Sequence, residues 1–339
     1  MTSRVSENQM RSSLYRNLVR NRTTVNNLSE EISSGLKVQT PGDSRSSATI
    51  SEFKTTLQKV EEYQQRTKLA QDILNLQENT LGQAQEVMTR AKELATQGAN
   101  QTLSAEDRRL LSAEVFELRD QIVAFANTTY QGRYIFSGAS DDTPAYSLEI
   151  PYTNPGNGSP SDDRYQYDTS TGSNLQRNVN VTDSLTVQVN LQGNQVFDNA
   201  IWALERLGRS LEGYQTLPLP TGEPAVNAEP DGTGDLYTAG ANPYDTQTDE
   251  LAQTIDLIDE ALKNDFLPNQ VAIAGRLRRL ESANSVLTLT ETHTKEVLAN
   301  LQEADIIESA SNLTEAQTAL EASLAVTTQL LRQSILDFI

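Results

Sequence analysis

The stretch that decides the fold is residues 53–95, FKTTLQKVEEYQQRTKLAQDILNLQENTLGQAQEVMTRAKELA. One phase of a seven-residue repeat runs through all of it, at Phe53, Val60, Thr67, Leu74, Leu81, Met88 and Ala95. A seven-residue period is typical of a helix that packs along one face for its whole length. The stretch therefore predicts a single long packed helix, from about Ser44 to Gly98.

A second helical pattern precedes this stretch. Its a/d positions have a 4-7-3-4 spacing and are occupied by Leu14, Leu18, Val25, Leu28 and Ile32, with polar Asn21 inside the same seam. Gly35 and the segment Thr40-Pro41-Gly42-Asp43 end the pattern, because glycine and proline interrupt helices. We predict an N-terminal helical arm over residues 1–43.

The next helix is predicted to begin at Ser104, where Asp107 stands three residues on, as in a capping box. Its apolar stripe consists of Leu111, Val115, Leu118, Ile122 and Phe125. A short β-prone stretch between glycines follows, QGRYIFSG over residues 131–138.

The middle of the chain differs in composition. Nine of the eleven prolines lie between Pro144 and Pro243, in a background rich in glycine, asparagine, aspartate and tyrosine. Residues 163–168 and 185–191 alternate like half-buried strands, residues 196–211 carry a helical pattern, and residues 212–245 have the composition of a loop. We predict a smaller α+β domain inserted between helical ends.

Helical periodicity returns at about Thr248, and a long helix is predicted after Pro268, with a partly polar seam. The predicted fold is mainly α with a β-containing insertion, in which an antiparallel helical bundle with coiled-coil termini flanks a variable α+β domain. The predicted divisions are an N-terminal arm at 1–43, a helical core at 44–138 and 246–302, an outer domain at 139–245, and a C-terminal arm at 303–339.

Composition excludes several classes of protein. The net charge of −19 makes nucleic acid and anionic membranes poor partners. No apolar run is long enough to span a membrane, and the N-terminal stretch has no apolar segment of the kind found in secretory signal peptides. The chain contains no cysteine. We therefore expect a protein that is cytoplasmic or leaves the cell without a cleaved signal peptide.

Charge is distributed unevenly along the chain. Residues 1–28 carry five arginines and one glutamate, whereas residues 303–339 carry six acidic residues and one arginine. Residues 138–250 carry 17 acidic residues against four arginines. The basic and acidic ends can attract each other within one subunit or between neighbours. The alternative is that both are solvated faces.

The two arms point to self-association, because a lone amphipathic helix leaves its apolar stripe in water. The predicted assembly interface consists of Leu14, Leu18, Val25, Leu28 and Ile32 in the first arm and Leu313, Leu320, Leu324, Leu331, Ile335 and Phe338 in the last arm. We expect the arms to be disordered until they meet a partner. A bundle that is complete as a monomer is the alternative.

Sites for catalysis are not predicted. The one histidine, His293, lies in a helical pattern with no second histidine to share a metal. The acid pairs Asp141-Asp142 and Asp162-Asp163 lie in Gly/Pro-rich loops, where we expect solvated charges. Residues 231–235, DGTGD, resemble only part of a calcium loop. We expect no enzyme activity, no cofactor and no metal.

Several stretches resemble the flagellin superfamily of bacterial flagella, and within it the hook-associated proteins. They are RVSENQM at 4–10, GRYIFSG at 132–138, residues 187–197, AGRLRRLE at 274–281 and SILDFI at 334–339. The most specific of them is Gly132, Arg133, Tyr134, Ile135, Phe136, Ser137 and Gly138. The resemblance covers nearly all of residues 1–140 and 247–339.

This resemblance implies a structural subunit for motility, an adaptor that joins the hook side of the flagellum to the filament by self-assembly through its terminal helices. It implies a ring-like homo-oligomer, contacts with other hook-associated proteins and with flagellin, and type III export to an extracellular location. It also implies a cytoplasmic export chaperone at the C-terminal arm, on the stripe from Leu313 to Phe338.

Two departures from true flagellins favour the adaptor. The segment after the first arm reads Pro41-Gly-Asp-Ser44 in place of an Asp-Asp-Ala type segment, and the chain ends Leu-Asp-Phe-Ile. A flagellin-type filament subunit remains the alternative reading.

Overall fold

The computed structural model describes residues 2–37, 47–100, 102–148, 165–169, 175–213 and 247–336. The helices are α1 Thr2–Ser34, α2 Ser47–Gly98, α3 Ala105–Ala126, α4 Asn194–Glu212, α5 Gln247–Glu260, a π-helix Ala261–Phe266, α6 Leu267–Gln302 and α7 Ile306–Leu336. The strands are β1 Thr129–Tyr130, β2 Arg133–Tyr134, β3 Tyr146–Leu148, β4 Tyr165–Tyr167, β5 Asn178–Asn180 and β6 Thr186–Gln188. The mainly α fold with a β-containing insertion is confirmed.

The chain divides into two compact units. One comprises Met1–Glu61 and Thr288–Ile339, and the other comprises Glu62–Leu287. The divisions fall inside α2 and α6, whereas the predicted limits at 43/44 and 302/303 fall near helix ends. The predicted domain limits stay predictions.

The seven-residue repeat of α2 is a buried stripe. Thr67, Leu74, Leu81, Met88 and Ala95 are fully buried, while Val60 is nearly so. On α6 the residues that face inward are also seven apart, at Ile273, Leu280, Leu287 and Thr294. The long helices predicted from periodicity are therefore confirmed, together with the polar member of the α6 seam.

Helices α1 and α7 pack against each other in antiparallel fashion. The Asn21 amide donates to Ser323 Oγ at 2.8 Å, and the Ser309 hydroxyl donates to Glu31 Oε1 at 2.9 Å. Residue numbers on α7 fall as those on α1 rise, which sets the direction of the pair. Within one chain, the two arms therefore pack against each other.

Helices α3 and α4 approach closely in the second unit. A Cβ atom added at Gly208 would lie 2.6 Å from Cζ of Phe116, so any larger residue at this point of α4 would displace the ring. The Ser112 hydroxyl donates to the Gly208 carbonyl at 2.9 Å. The predicted start of α3 is confirmed, because Ser104 Oγ accepts the Asp107 backbone N–H.

The described strands form three antiparallel pairs, β1–β2, β3–β4 and β5–β6. The two predicted strands are confirmed over shorter spans, as β4 and β6, and each pairs with a neighbour that periodicity did not reveal. The predicted helix over 196–211 is confirmed as α4. The predicted loop over 212–245 lies outside the described residues from 214 onward.

A correction concerns Pro268, after which the sequence pattern predicts a new helix. The chain is instead helical without interruption from α5 through the π-helix into α6. The Leu267 N–H donates to the Leu262 carbonyl, five residues earlier. A proline in a regular α-helix removes one hydrogen bond and strikes the carbonyl of the preceding turn. The wider π turn directly before Pro268 shifts the hydrogen-bonding pattern by one residue and so gives the proline ring more room beside that carbonyl.

Candidate assembly surfaces

The predicted assembly residues of the first arm lie on the face of α1 that turns away from solvent. Leu14, Leu18, Val25, Leu28 and Ile32 are all half-buried. Asn21 lies on the same face and bonds to α7. The structure therefore brings this part of the predicted interface together within one chain.

The predicted residues of the last arm are divided. Leu313 and Leu320 are half-buried, and the other half-buried positions that continue their spacing are Ala316, Ser323 and Thr327. Leu324 instead has 46% of its surface exposed and lies beside this seam. Leu331 and Ile335 belong to α7, but their side chains are not described, and Phe338 lies outside the described residues.

The roots of the two arms are joined by backbone hydrogen bonds. The Lys37 N–H donates to the Gln302 carbonyl at 2.8 Å, and the Ala304 N–H donates to the Gly35 carbonyl at 2.9 Å. Leu36 and Glu303 form an antiparallel bridge between these two bonds. Gly35 has a φ of +69°, a conformation that favours glycine. We call this connection, from Gly35 to Lys37 and from Gln302 to Ala304, the root bridge.

The outward side of α1 carries exposed apolar and basic residues together. Tyr15 is 70% exposed and Val19 is 44% exposed, one turn apart. Arg16, Arg20 and Arg22 are exposed around them. These five residues are named the arginine–tyrosine face.

The stretch 132–138 begins as a tight hairpin. Gln131 and Gly132, with φ of 52° and 79°, connect β1 to β2. Positive φ at both central residues is the mark of a type I′ turn, whose twist matches that of paired strands. A glycine at position 132 is therefore explained by the turn.

The rest of this stretch is internal. The Gln77 amide of α2 donates to the Ile135 carbonyl at 3.0 Å and to the Val189 carbonyl at 3.3 Å. Phe136 is fully buried, and its ring meets that of Phe197 edge to face at 5.0 Å. The family-like stretch thus ties α2 to the β strands and to α4, which is a packing role.

Asp141 requires a correction. We expected a solvated charge, but Asp141 is buried while Asp142 is exposed. The Arg133 guanidinium donates to both carboxylate oxygens of Asp141, at 3.0 and 3.1 Å, and Arg177 also pairs with it. A buried carboxylate is retained because two guanidinium groups compensate its lost hydration. The pair Asp162-Asp163 lies outside the described residues.

A second buried carboxyl group lies near the start of α4. The Tyr146 hydroxyl donates to Asp198 Oδ1, and the Asn199 amide donates to Asp265 Oδ2 at 2.8 Å. Burial raises the pKa of Asp198 to about 6; the Tyr146 hydrogen bond opposes the rise, and the charge of Asp265 adds to it. Burial also raises the pKa of Asp265. This cluster joins β3, α4 and the π-helix.

The described ranges contain no group of three His, Asp or Glu side chains that could hold a metal ion. His293 is an exposed residue of α6, and residues 231–235 lie outside these ranges. A cavity of about 310 Å³ beside the hairpin is lined by apolar side chains with Tyr130, Gln131, Arg133 and Arg177. Among the helices of the described ranges, none has the length and apolar character needed to cross a membrane.

Comparison with protein families identifies both ends of the chain. Residues 5–141 match the bacterial flagellin N-terminal helical region, and residues 255–339 match the bacterial flagellin C-terminal helical region. Together the two matches cover more than half of the chain and include both arms. The chain belongs to the flagellin superfamily. The arms that pair in the structure are thus parts of regions that define this superfamily.

Individual members of the flagellin superfamily match over part of their length. The chain is 33% identical over 122 residues to flagellar hook-associated protein 3 of Escherichia coli strain K12, a match that covers 35% of this chain and 38% of that protein. It is 30% identical over 128 residues to a flagellin of Clostridium tyrobutyricum, covering 37% and 33%. The chain therefore matches well under half the length of these two relatives.

A solved structure shares the fold. A Vibrio parahaemolyticus protein, described as a flagellar hook-associated protein, aligns with a TM-score of 0.59 and 18% identity. The alignment covers 77% of this chain and 100% of the other. It shows that this superfamily member has the helical architecture of its relative.

Sequence reasoning missed the arginine–tyrosine face, although a signal for it exists. Tyr15 and Val19 are out of phase with the seam of α1, and three arginines lie within seven residues of Tyr15. An apolar pair out of phase with a heptad marks a second contact surface.

Proposed function

We propose that this protein is the structural adaptor at the junction between the flagellar hook and the filament. Its subunits would associate side by side through the terminal arms. A junction subunit needs self-complementary sides and unlike end faces, one toward each neighbouring structure. The observation that carries the proposal concerns the two arms, which lie in the regions that match the flagellin helical regions. They pair with each other and still keep further apolar residues exposed.

Large apolar side chains on α1 and α7 remain exposed after the two helices have paired. Leu324 and Val326 of α7 are 46% and 48% exposed, and Tyr15 of α1 is 70% exposed. Two paired helices bury one stripe each, so these residues gain from further helices alongside. Subunits packed around an axis, with the arms innermost and residues 139–245 outermost, would supply such neighbours.

Several finer statements belong to the same proposal. The protein would form a ring-like homo-oligomer and contact other hook-associated proteins and flagellin. It would leave the cell by flagellar type III export without a cleaved signal peptide. A cytoplasmic chaperone would bind the C-terminal arm along the stripe from Leu313 to Phe338, as a helix docks in a groove. It would be a structural subunit with no enzyme activity.

Support for the adaptor over the filament subunit comes from its relatives. The match to the Escherichia coli hook-associated protein 3 is 33% identical, and the Vibrio parahaemolyticus neighbour is also described as hook-associated. A filament subunit is the second candidate, because the chain also matches a flagellin at 30% identity.

Immunogold labelling of intact flagella with antibody against residues 139–245 tests the proposal. We expect gold at one spot, where hook meets filament. Label along the whole filament would make the chain a filament subunit. The absence of label from flagella, with the protein found inside the cell, would overturn both candidates.

A further inference from the structure

The cavity of about 310 Å³ beside the β1–β2 hairpin has the dimensions of a small-molecule site. Such sites have volumes of about 300–1,000 Å³, with mostly apolar walls and a few polar groups. Every described residue that lines the cavity belongs to the unit Glu62–Leu287. Its apolar wall consists of Leu69, Ala70, Ile73, Ile135, Val179 and Val189. We call this space the hairpin cavity.

The walls of the hairpin cavity are held in place by the fold. The Gln77 amide donates to the carbonyls of two lining residues, Ile135 and Val189, and so fixes them against α2. Walls that are already ordered lose little further freedom when a ligand binds. Leu69, also a lining residue, is 42% exposed, and an apolar occupant would remove part of its surface from water.

Two guanidinium groups also line the hairpin cavity, those of Arg133 and Arg177. Both use Nη1 to pair with the buried carboxylate of Asp141. A guanidinium carries five N–H donors. Within the described part of the chain, Nε and Nη2 of both arginines have no hydrogen-bond partner. The two side chains therefore keep charged donors that a ligand could occupy without displacing Asp141.

The charges around the hairpin cavity favour a monoanion. Two guanidinium groups and the Asp141 carboxylate leave a net charge of about +1. Lys68 and Asp72, beside Tyr130, form an ion pair at 2.9 Å and cancel each other. Asp142 also acts on Arg133, but it is exposed and therefore screened by water.

The shape of the donor groups selects among anions. A guanidinium offers parallel N–H donors in one plane, which match the two oxygens of a carboxylate. One carboxylate would also neutralise the cluster around Asp141. A phosphate monoester carries a charge of about −1.5 to −2 near neutral pH and would leave an excess of negative charge against apolar walls.

We propose that the hairpin cavity binds a small amphipathic monocarboxylate. Its apolar chain would lie against Leu69, Ala70 and Ile73, and its carboxylate would accept hydrogen bonds from Arg133 and Arg177. Asp141 would hold the two guanidinium groups in position before and after binding. The site goes beyond the proposed function and does not depend on it, because a single chain supplies every residue that the site uses.

Titration calorimetry on the purified full chain tests the proposal with three probes that share one eight-carbon chain. Octanoate carries a carboxylate, octan-1-ol carries no charge, and octylammonium carries a positive charge. We expect octanoate to bind at one site per chain and at least tenfold more tightly than either of the other probes. The ratio between octanoate and octan-1-ol measures what the guanidinium groups contribute, because the apolar contacts are the same.

Two variants locate the bound probe. Ala70→Leu places a larger side chain on the apolar wall and should lower the affinity for octanoate at least tenfold, whereas Ala113→Leu, at an exposed position of α3, should leave it unchanged. Arg177→Gln should lower the affinity for octanoate about tenfold and leave that for octan-1-ol unchanged. Arg109→Gln, also at an exposed position of α3, is its matched control. Because Arg177→Gln leaves the apolar packing intact, it decides the question if Ala70→Leu does not fold.

Three results would overturn the proposal. If octanoate does not bind the unmodified chain, the cavity is only a gap in the packing. If octan-1-ol binds as tightly as octanoate, the guanidinium groups do not recognise the carboxylate. If octanoate binds equally well to the Arg177→Gln chain, or to a folded Ala70→Leu chain, it binds outside the cavity or without Arg177. None of these results bears on the adaptor proposal, and gold label along the whole filament would not bear on this site.

Discussion

Replacement of a helical glycine by alanine should destabilise the protein at one position and stabilise it at two others. At Gly208 of α4 a Cβ atom would lie 2.6, 2.8 and 2.9 Å from three atoms of the Phe116 ring. At Gly275 of α6 and Gly82 of α2 no atom lies within 4 Å of the added Cβ. Of these three helical glycines, packing therefore requires Gly208 but not Gly82 or Gly275.

The expected magnitudes follow from these distances. Alanine in place of an unhindered helical glycine stabilises by about 0.5–1 kcal/mol. At Gly208 that gain is opposed by overpacking, which costs about 1–3 kcal/mol. The Phe116 ring must also retreat from the buried Arg119 guanidinium, now 5.0 Å from its centre, which costs about another 1 kcal/mol. We expect Gly208→Ala to destabilise by about 1–3 kcal/mol and the two controls to stabilise.

Urea unfolding followed by tryptophan fluorescence measures this difference. The chain has one tryptophan, Trp202, and it is buried on α4, in the same unit as all three glycines. Gly208→Ala should lower the midpoint while Gly82→Ala and Gly275→Ala raise it, with an unchanged slope. If Gly208→Ala stabilises as much as Gly275→Ala does, the close approach of α3 and α4 is wrong.

Two further predictions concern a titrating group and the pairing of the arms. Because the folded-state pKa of Asp198, about 6, lies above its ordinary value of 3.8, the folded protein binds the extra proton and stability falls as pH rises from about 4 to 6. The free energy of unfolding should therefore decrease between pH 4 and pH 7, and Asp198→Asn should make this decrease smaller by about 2–3 kcal/mol. An unchanged decrease in the variant would contradict the burial of this carboxyl group. Asn21→Leu should strengthen the arm pair but loosen its register, since a polar seam residue penalises slipped pairings. Cysteines at Glu31 and Ser309 report the native register, and cysteines at Glu31 and Ala316 report a register that has slipped by seven residues. In the chain with Asn21 only the native-register pair should form a disulfide, whereas in the Asn21→Leu chain both pairs should. A disulfide of the slipped pair in the chain with Asn21 would refute the register role.

The sequence predicted helices well wherever a single period ran for many residues. The repeat of α2 from Val60 to Ala95 is buried as predicted, because a helix packed along its whole length must keep one phase. The prediction that a regularly spaced apolar residue lies in the seam fails at Leu324. It belongs to an apolar pattern on α7, yet a helix with more than one neighbour has more than one apolar stripe, and spacing alone does not say which stripe meets which partner.

Tertiary contacts account for the other differences. Asp141 looked like a loop carboxylate, and its burial depends on Arg133 and on Arg177, which is 36 residues away. Pro268 looked like a helix start, and only the five-residue hydrogen bond of the preceding π turn lets the helix continue. Arg177 cannot be assigned as a partner of Asp141 from local sequence, since their pairing depends on how distant segments meet.

The root bridge changes the cost of ordering the arms. Residues 36 and 303 are separated by more than 260 positions in the chain, so a first contact between free arms must close a very long loop. Once the root bridge has formed, contact between Glu31 and Ser309 closes a loop that contains only the few residues between them and the bridge. Each later contact, out to Asn21 and Ser323, closes a similarly small increment. The arms can therefore separate from their free ends inward and pair again, contact by contact, from a root bridge that stays closed.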